Sequence, residues 1–230
     1  MMIAVKALTA LTTGLYLAAA LTAGSAHAQS AREGGYVGLR LIGGMSEAQD
    51  LSQTGFTGSL VENNVEDPTA AAGFLAGYRF DELPLRVEGE LHHRFRMDLD
   101  VRDNAAPGFG YENNLSSTVA LVSAAWELRL DGPFTPFLGA GVGWARNASD
   151  VERTNISTGA KTSTSESVDN LALGVQAGSS YEISRHWGLE LAYRYLNMGE
   201  VDTGATAGGE SVSADSYVTH DLNLSLLYRF

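Results

Sequence analysis

Residues 216–230 read SYVTHDLNLSLLYRF. From Val218 onward, alternate positions are Val218, His220, Leu222, Leu224, Leu226, Tyr228 and Phe230, and the positions between them are Thr219, Asp221, Asn223, Ser225, Leu227 and Arg229. A period of two, apolar on one row and mostly polar on the other, is the pattern of an extended strand, whose side chains point alternately to its two faces. The run is longer than the roughly 5–6 residues usual in soluble sheets. It fits the roughly 9–11 residues of a tilted strand that crosses a bilayer with one face in lipid.

Seven more segments carry the same period: 35–43, 70–80, 85–99, 117–130, 135–145, 168–183 and 187–197. In 85–99 the rows separate most clearly. Leu85, Val87, Gly89, Leu91, His93, Phe95 and Met97 share one face, and Arg86, Glu88, Glu90, His92, Arg94 and Arg96 share the other. In 135–145, Leu138, Ala140, Val142 and Trp144 alternate with Gly139, Gly141 and Gly143; glycine on the inward row is expected to leave room for bulky neighbours. The connections alternate. Residues 44–69, 98–116, 146–167 and 198–215 are polar, show no apolar period and read as long loops. Residues 81–84, 131–133 and 184–186 are short turns marked by Pro, Gly, Asp or Ser.

Four long loops on one side and three short turns on the other predict an all-β fold, an eight-stranded antiparallel up-and-down transmembrane β-barrel. An even strand number puts both chain ends on the short-turn side. Trp126, Leu130, Tyr78, Phe80, Trp187, Tyr228 and Phe230 fall near that side on outward positions and are expected to form an aromatic girdle. Closure leaves no sheet edge for lipid to face.

Composition agrees. The chain has 230 residues, 44% hydrophobic and 18% charged, with 26 glycines, 5 prolines and no cysteine. Without cysteine there is no disulfide framework, thiolate metal site or cysteine nucleophile. A net charge of −12 argues against a nucleic-acid partner. Residues 1–28 read as a secretory signal peptide. Lys6 supplies a basic start, residues 7–23 are apolar, and Ala26-His27-Ala28 forms the small-x-small cleavage site. The expected organisation is a signal peptide over 1–28 and one barrel domain over 29–230.

Four stretches carry a resemblance: Gly35-Tyr36-Val37-Gly38-Leu39, Gly73-Phe74-Leu75-Ala76-Gly77-Tyr78-Arg79-Phe80, residues 135–143 (TPFLGAGVG) and Leu191-Ala192-Tyr193-Arg194-Tyr195-Leu196. With the Tyr-Arg-Phe ending, the chain resembles the eight-stranded bacterial outer-membrane β-barrel family, the OmpA/OmpX-type barrels and the opacity-type surface proteins. The resemblance implies location in the outer membrane after export through the periplasm. It also implies that Tyr228 and Phe230 match the terminal signal read by the barrel-insertion machinery.

An eight-stranded barrel is just wide enough inside for side chains to fill. Arg40, Arg79, Arg86, Glu88, Glu90, His92, Arg94, Glu127, Arg129, Gln176, Glu182, Glu190, Arg194, Asp221 and Arg229 stand on inward rows. Both signs are present, so they are expected to pair into a lumen-filling network, since an unpaired buried charge costs several kcal/mol. Adjacent His92 and His93 point to opposite faces and cannot chelate one metal ion together. No cofactor or metal is expected.

The expected role is structural or surface-interactive, with four extracellular loops touching lipopolysaccharide, host molecules or phage, and the protein a monomer. A small ion-conducting pore remains an alternative. A lipid-A-modifying enzyme is less well supported, because no outward Ser stands two positions from a His with an acid nearby. Loop acids Glu62, Glu66, Asp67, Asp98, Asp100 and Asp103 suit solvent, or divalent cations bridging to lipopolysaccharide. Asn147-Ala148-Ser149 and Asn155-Ile156-Ser157 match glycosylation acceptors, incidental in a bacterial outer membrane.

Overall fold

The computed structural model describes residues 34–54, 60–62, 66–103, 109–204, 209 and 211–230. The expected signal peptide and its Ala26 and Ala28 lie outside them. Eight long strands follow one another: β1 (Gly34–Thr54), β2 (Glu66–Arg79), β3 (Leu85–Asp103), β4 (Phe109–Glu127), β5 (Phe134–Asn155), β6 (Lys161–Glu182), β7 (Trp187–Asn197) and β8 (Ser211–Arg229). Each pairs antiparallel with the next, and β8 pairs back to β1, so the sheet closes on itself. Two short strands extend the rim: Leu60–Glu62 pairs with the outer end of β3 and Val201–Asp202 with the outer end of β8.

The register fixes the tilt. Moving from partner to partner around the ring, Gly34, Arg79, Arg86, Ala125, Gly139, Gln176, Arg194 and Asp221 lead back to β1 at Gly44. The ring closes with a stagger of ten residues between Gly34 and Gly44. A staggered closure tilts every strand against the barrel axis and sets an interior narrow enough to be filled by side chains.

The inside-out pattern is plain in exposure. Phe74 is 69% exposed and Leu41 61%, while Arg40, Arg86 and Glu190 are each 1% exposed. Leu138, Val122, Leu171 and Leu224 are exposed with them. Such an uninterrupted apolar band is stable only against lipid. At the short-turn end, Trp187 packs edge-on against Tyr228 at 5.1 Å, Tyr228 against Phe230 at 5.7 Å, and Tyr78 against Phe80 at 5.2 Å. These rings form the lower girdle with Trp126, which is exposed.

Several expected boundaries are corrected. The expected loops 44–69, 98–116 and 146–167 are largely strand: β1 runs on to Thr54, β3 reaches Asp103 and β4 begins at Phe109, and β5 and β6 are 22 residues each. The β5–β6 hairpin therefore continues well past the membrane. Its outer half is polar on both faces, which erases the apolar period, but its backbone ladder persists to the tip. There Asn155 Oδ1 accepts from the amides of Ser157 and Thr158, both at 3.0 Å, and Gly159 takes φ +70°. At the other end, β4 stops at Glu127, so Leu128, Arg129 and Leu130 belong to the turn rather than to a strand. In β3 the register slips between Arg94 and Met97, a bulge that ends the simple parity read for 85–99. Val218, on the outward row of β8, is buried.

The glycine row in β5 has a different cause from the one expected. A Cβ at Gly143 would collide with the Ala120 carbonyl oxygen, and one at Gly141 would stand 3.0 Å from Ser123 Cβ. The space a side chain would need is taken by strand β4 itself rather than by distant lumen residues.

Candidate functional site in the lumen and its extracellular mouth

The inward rows of β1, β3, β7 and β8 meet at mid-barrel around Arg40. Its Nη2 lies 3.0 Å from Glu88 Oε1 and 3.0 Å from Glu190 Oε1, its Nη1 pairs with Glu90, and its Nε donates to Ser225 Oγ at 2.8 Å. Glu190 also accepts from Arg86 and from Ser180 Oγ at 3.2 Å. Arg86 in turn lies 4.2 Å over the Phe137 ring, a favourable position for a desolvated guanidinium. Arg194 donates to both oxygens of Glu90 at 3.0 Å and reaches Asp221 at 3.4 Å. Arg94 pairs with Asp221 and donates to Thr69 and Thr219, each at 3.1 Å. His92 Nδ1 stands 2.7 Å from Glu90 Oε1.

Toward the short-turn end, Arg79 Nη2 meets Glu127 Oε1 at 2.7 Å, Arg86 approaches the same oxygen at 3.8 Å, and Arg229 pairs with Glu182. Arg40, Arg79, Arg86, Arg94, Arg194 and Arg229 are thus matched by Glu88, Glu90, Glu127, Glu182, Glu190 and Asp221. These six cations and six carboxylates cancel, so the network adds nothing to the chain's net charge of −12. Each of these arginines has a carboxylate neighbour, which is the condition for holding charge in a low-dielectric interior.

Arg129 is the exception among the inward positions inferred from sequence. It is exposed and lies beyond β4, where its guanidinium donates to the backbone carbonyls of Phe80, Asp81 and Leu83. It ties the turn between β4 and β5 to the turn between β2 and β3. Gln176, also placed inward, is buried.

Two features were not singled out from the sequence, although Tyr36 stands on the same inward row as Arg40. Tyr36 is buried in the lumen, and its hydroxyl donates to Glu88 Oε2 at 3.0 Å; its neighbours Leu75 and Leu227 form an apolar patch there. At the opposite mouth, Leu115, Val119, Leu196, Met198, Val201 and Tyr217 pack as an apolar cap above the ion pairs. Met198 and Val201 come from the segment after β7, which folds over the opening between Gly199 (φ +74°) and Gly204 (φ +68°).

Asparagines hold that segment. Asn147 Nδ2 donates to the carbonyls of Met198 at 3.0 Å and Glu200 at 2.9 Å, while its Oδ1 accepts from Ser117 Oγ at 2.7 Å. Asn170 Nδ2 donates to the Glu200 carbonyl at 2.8 Å. Asn147→Ala takes this partner from the Met198 carbonyl and the Ser117 hydroxyl, while the Glu200 carbonyl keeps Asn170. It is expected to destabilise the barrel by about 1–3 kcal/mol and to make 198–204 cleavable by protease on intact cells; an unchanged urea midpoint and cleavage pattern would show that Asn147 does not hold the cap.

A closed antiparallel ring, apolar outside and ionic within, defines the class: an integral membrane β-barrel with a filled lumen. The chain belongs to the outer membrane protein beta-barrel domain family, whose model matches residues 16–230. It is 26% identical over 219 residues to outer membrane protein PagN of Salmonella typhimurium, covering 87% of this chain and 92% of that one. It is 24% identical over 131 residues to opacity protein opA67 of Neisseria gonorrhoeae, covering 47% and 52%. Among solved structures, the outer membrane protein OprG from Pseudomonas aeruginosa has the same fold, with a TM-score of 0.50, 14% identity and coverage of 87% and 98%. The protein is an outer-membrane β-barrel.

Proposed function

We propose that this protein is a surface-interaction barrel: a closed anchor that displays its extended β-hairpins to molecules outside the cell. The observation that carries the reading is the division of labour along the axis. The membrane-level lumen is filled by paired charges and capped by apolar residues, whereas the polar β5–β6 hairpin continues past the lipid on strands of 22 residues each. The likeness to an opacity protein and to PagN supports a surface role. The partners are outer-membrane lipid and lipopolysaccharide, with a host or phage surface ligand at the loops. Tyr228 and Phe230, paired edge-on at the last outward positions, serve as the signal to the insertion machinery, and the barrel acts as a monomer.

The pore reading is less well supported, because Arg40, Arg86, Arg94 and Glu190 leave no exposed side chain at mid-lumen. Nor is an enzyme favoured. Outward His220 meets Tyr193 and Tyr195, and His93 meets Thr118; neither assembles a nucleophile, base and acid. Two measurements test the proposal together. Planar bilayers containing the protein are expected to stay silent, and bacteria displaying it are expected to lose attachment to host cells when 150–166 is replaced by a two-residue turn, with the heat-modifiable gel shift retained. Stepwise conductance, or attachment indifferent to every loop replacement, would contradict it.

A further inference from the structure

Above the lipid the strands run to different heights, and a sheet edge opens wherever one outlasts its neighbour. The gap above β2 is lined by β1 beyond Glu47 and by β3 beyond Arg94, with the short strand Leu60–Glu62 laid on β3. The gap above β7 is lined by β8 beyond Val218 and by β6 beyond Leu173, with the short strand Val201–Asp202 laid on β8. Residues 161–172 of β6 therefore have a strand on the β5 side alone, among the described residues. Segment 198–204 meets this part of β6 through inward side chains, Asn170 at Glu200 and Glu166 beside Gly204, and forms no ladder with it. The edge is longer than the one that β1 leaves at 48–54.

Such an edge is a template for another strand, and sheets that avoid pairing blunt it with proline, a bulge or several lysines. Residues 161–172, KTSTSESVDNLA, have no proline and one lysine, at the tip. Their register with β5 holds without a slip from Thr154–Lys161 down to Phe134–Tyr181. Threonine and valine suit an extended backbone.

We infer that this edge pairs with the same edge of a second copy of the chain in a facing membrane, an inference that rests on the hairpin being displayed outside the cell. All copies in one membrane point β6 the same way, so neighbours there offer each other parallel strands and each barrel stays a monomer within its own membrane. A copy in an opposed membrane offers an antiparallel strand, the more stable pairing. Hydrogen-bonded and non-hydrogen-bonded pairs alternate along an antiparallel ladder, so a two-fold pair must set one residue opposite itself. Centred on Glu166, the edge brings two carboxylates together. Centred on Ser165, it sets Lys161 opposite the second copy's Asp169 at both ends, on the outward row that both positions share with Leu171. Charges then alternate across four strands: Arg146 and Asp169, which face each other in one copy, followed by the second copy's Lys161 and the Glu152 it pairs with. At about 3.3 Å per residue, the stretch from Leu171 to Ser165 in each copy holds the two bilayers roughly 40 Å apart.

Phosphatidylcholine vesicles carrying the whole protein, free of lipopolysaccharide and host molecules, test the pairing by light scattering. Wild-type vesicles are expected to cluster, because many weak contacts act together between two surfaces, and electron cryomicroscopy is expected to show a gap of about 40 Å between them. Lys161→Glu vesicles and Asp169→Lys vesicles are each expected to stay dispersed, since like charges then face each other at both ends of the pair. Mixed together, the two variants are expected to cluster as the wild type does, since each supplies the charge the other lacks. All forms are expected to keep the heat-modifiable gel shift. Dispersed wild-type vesicles, clustering of either variant alone, or a mixture that stays dispersed would overturn the inference. Failure of the display reading is reported separately, by attachment to host cells.

Discussion

Replacing Glu190 with leucine is expected to lower the unfolding free energy in lipid by about 3–5 kcal/mol, the usual cost of removing one partner from a buried ion pair. Glu190 is 1% exposed, accepts from Ser180, and neutralises both Arg40 and Arg86. Arg40 keeps Glu88 and Glu90 after the change, but Arg86 keeps only Glu127 at 3.8 Å and the Phe137 ring. The orphaned group is therefore Arg86. Adding Arg86→Met to Glu190→Leu is expected to recover part of the loss, because it removes the uncompensated charge, and the double-mutant cycle measures how much. Urea titration of tryptophan fluorescence in phospholipid vesicles gives both numbers. An unshifted midpoint for the single variant would mean that water, rather than Glu190, solvates Arg86.

The lipid face carries the second large effect. Leu41 lies midway along the outward row Val37, Leu39, Leu41, Gly43 and Met45, and is 61% exposed. Leu41→Arg is expected to cost about 2–4 kcal/mol, the midplane cost of arginine on a barrel's outer wall. Met45→Arg, two positions below Glu47 and near the outer head groups, is expected to cost about 0–1 kcal/mol. The ratio matters more than either value, because only a depth-dependent penalty distinguishes lipid from a soluble apolar core. Equal costs at Leu41 and Met45 would move the band.

Strand existence, strand parity and most of the lumen network were legible in the sequence because one rule governs them all. Each membrane-level strand has lipid on one side and the lumen on the other, so its residues alternate. That rule located Arg40, Glu88, Glu90, Arg94, Glu127, Glu190 and Asp221 on the inward rows. It failed where its physical premise ends. Above the membrane both faces of β5 and β6 meet water, so residues 146–155 and 161–167 lost their period while keeping their ladder. Below it, Arg129 lies past the last residue of β4, so parity no longer described where it points. Val218 shows a further limit: alternation gives the side of the sheet and does not say whether neighbouring elements cover it. Asn147 and Asn170 were illegible for another reason. Their role is to hold a segment about 30 to 50 residues away in sequence, and no local pattern encodes that bond.

The absence of cysteine makes the central claim directly measurable. Spin labels placed singly at Leu222, Ser225, Leu224 and Asn223, each changed to Cys in vesicle-borne protein, report their surroundings through collision with oxygen, which concentrates in lipid, and with a water-soluble nickel chelate. The account predicts high oxygen accessibility at 222 and 224, and low accessibility to both reagents at 223 and 225. Nickel-chelate accessibility at 222 and 224, with oxygen access confined to 223 and 225, would contradict it.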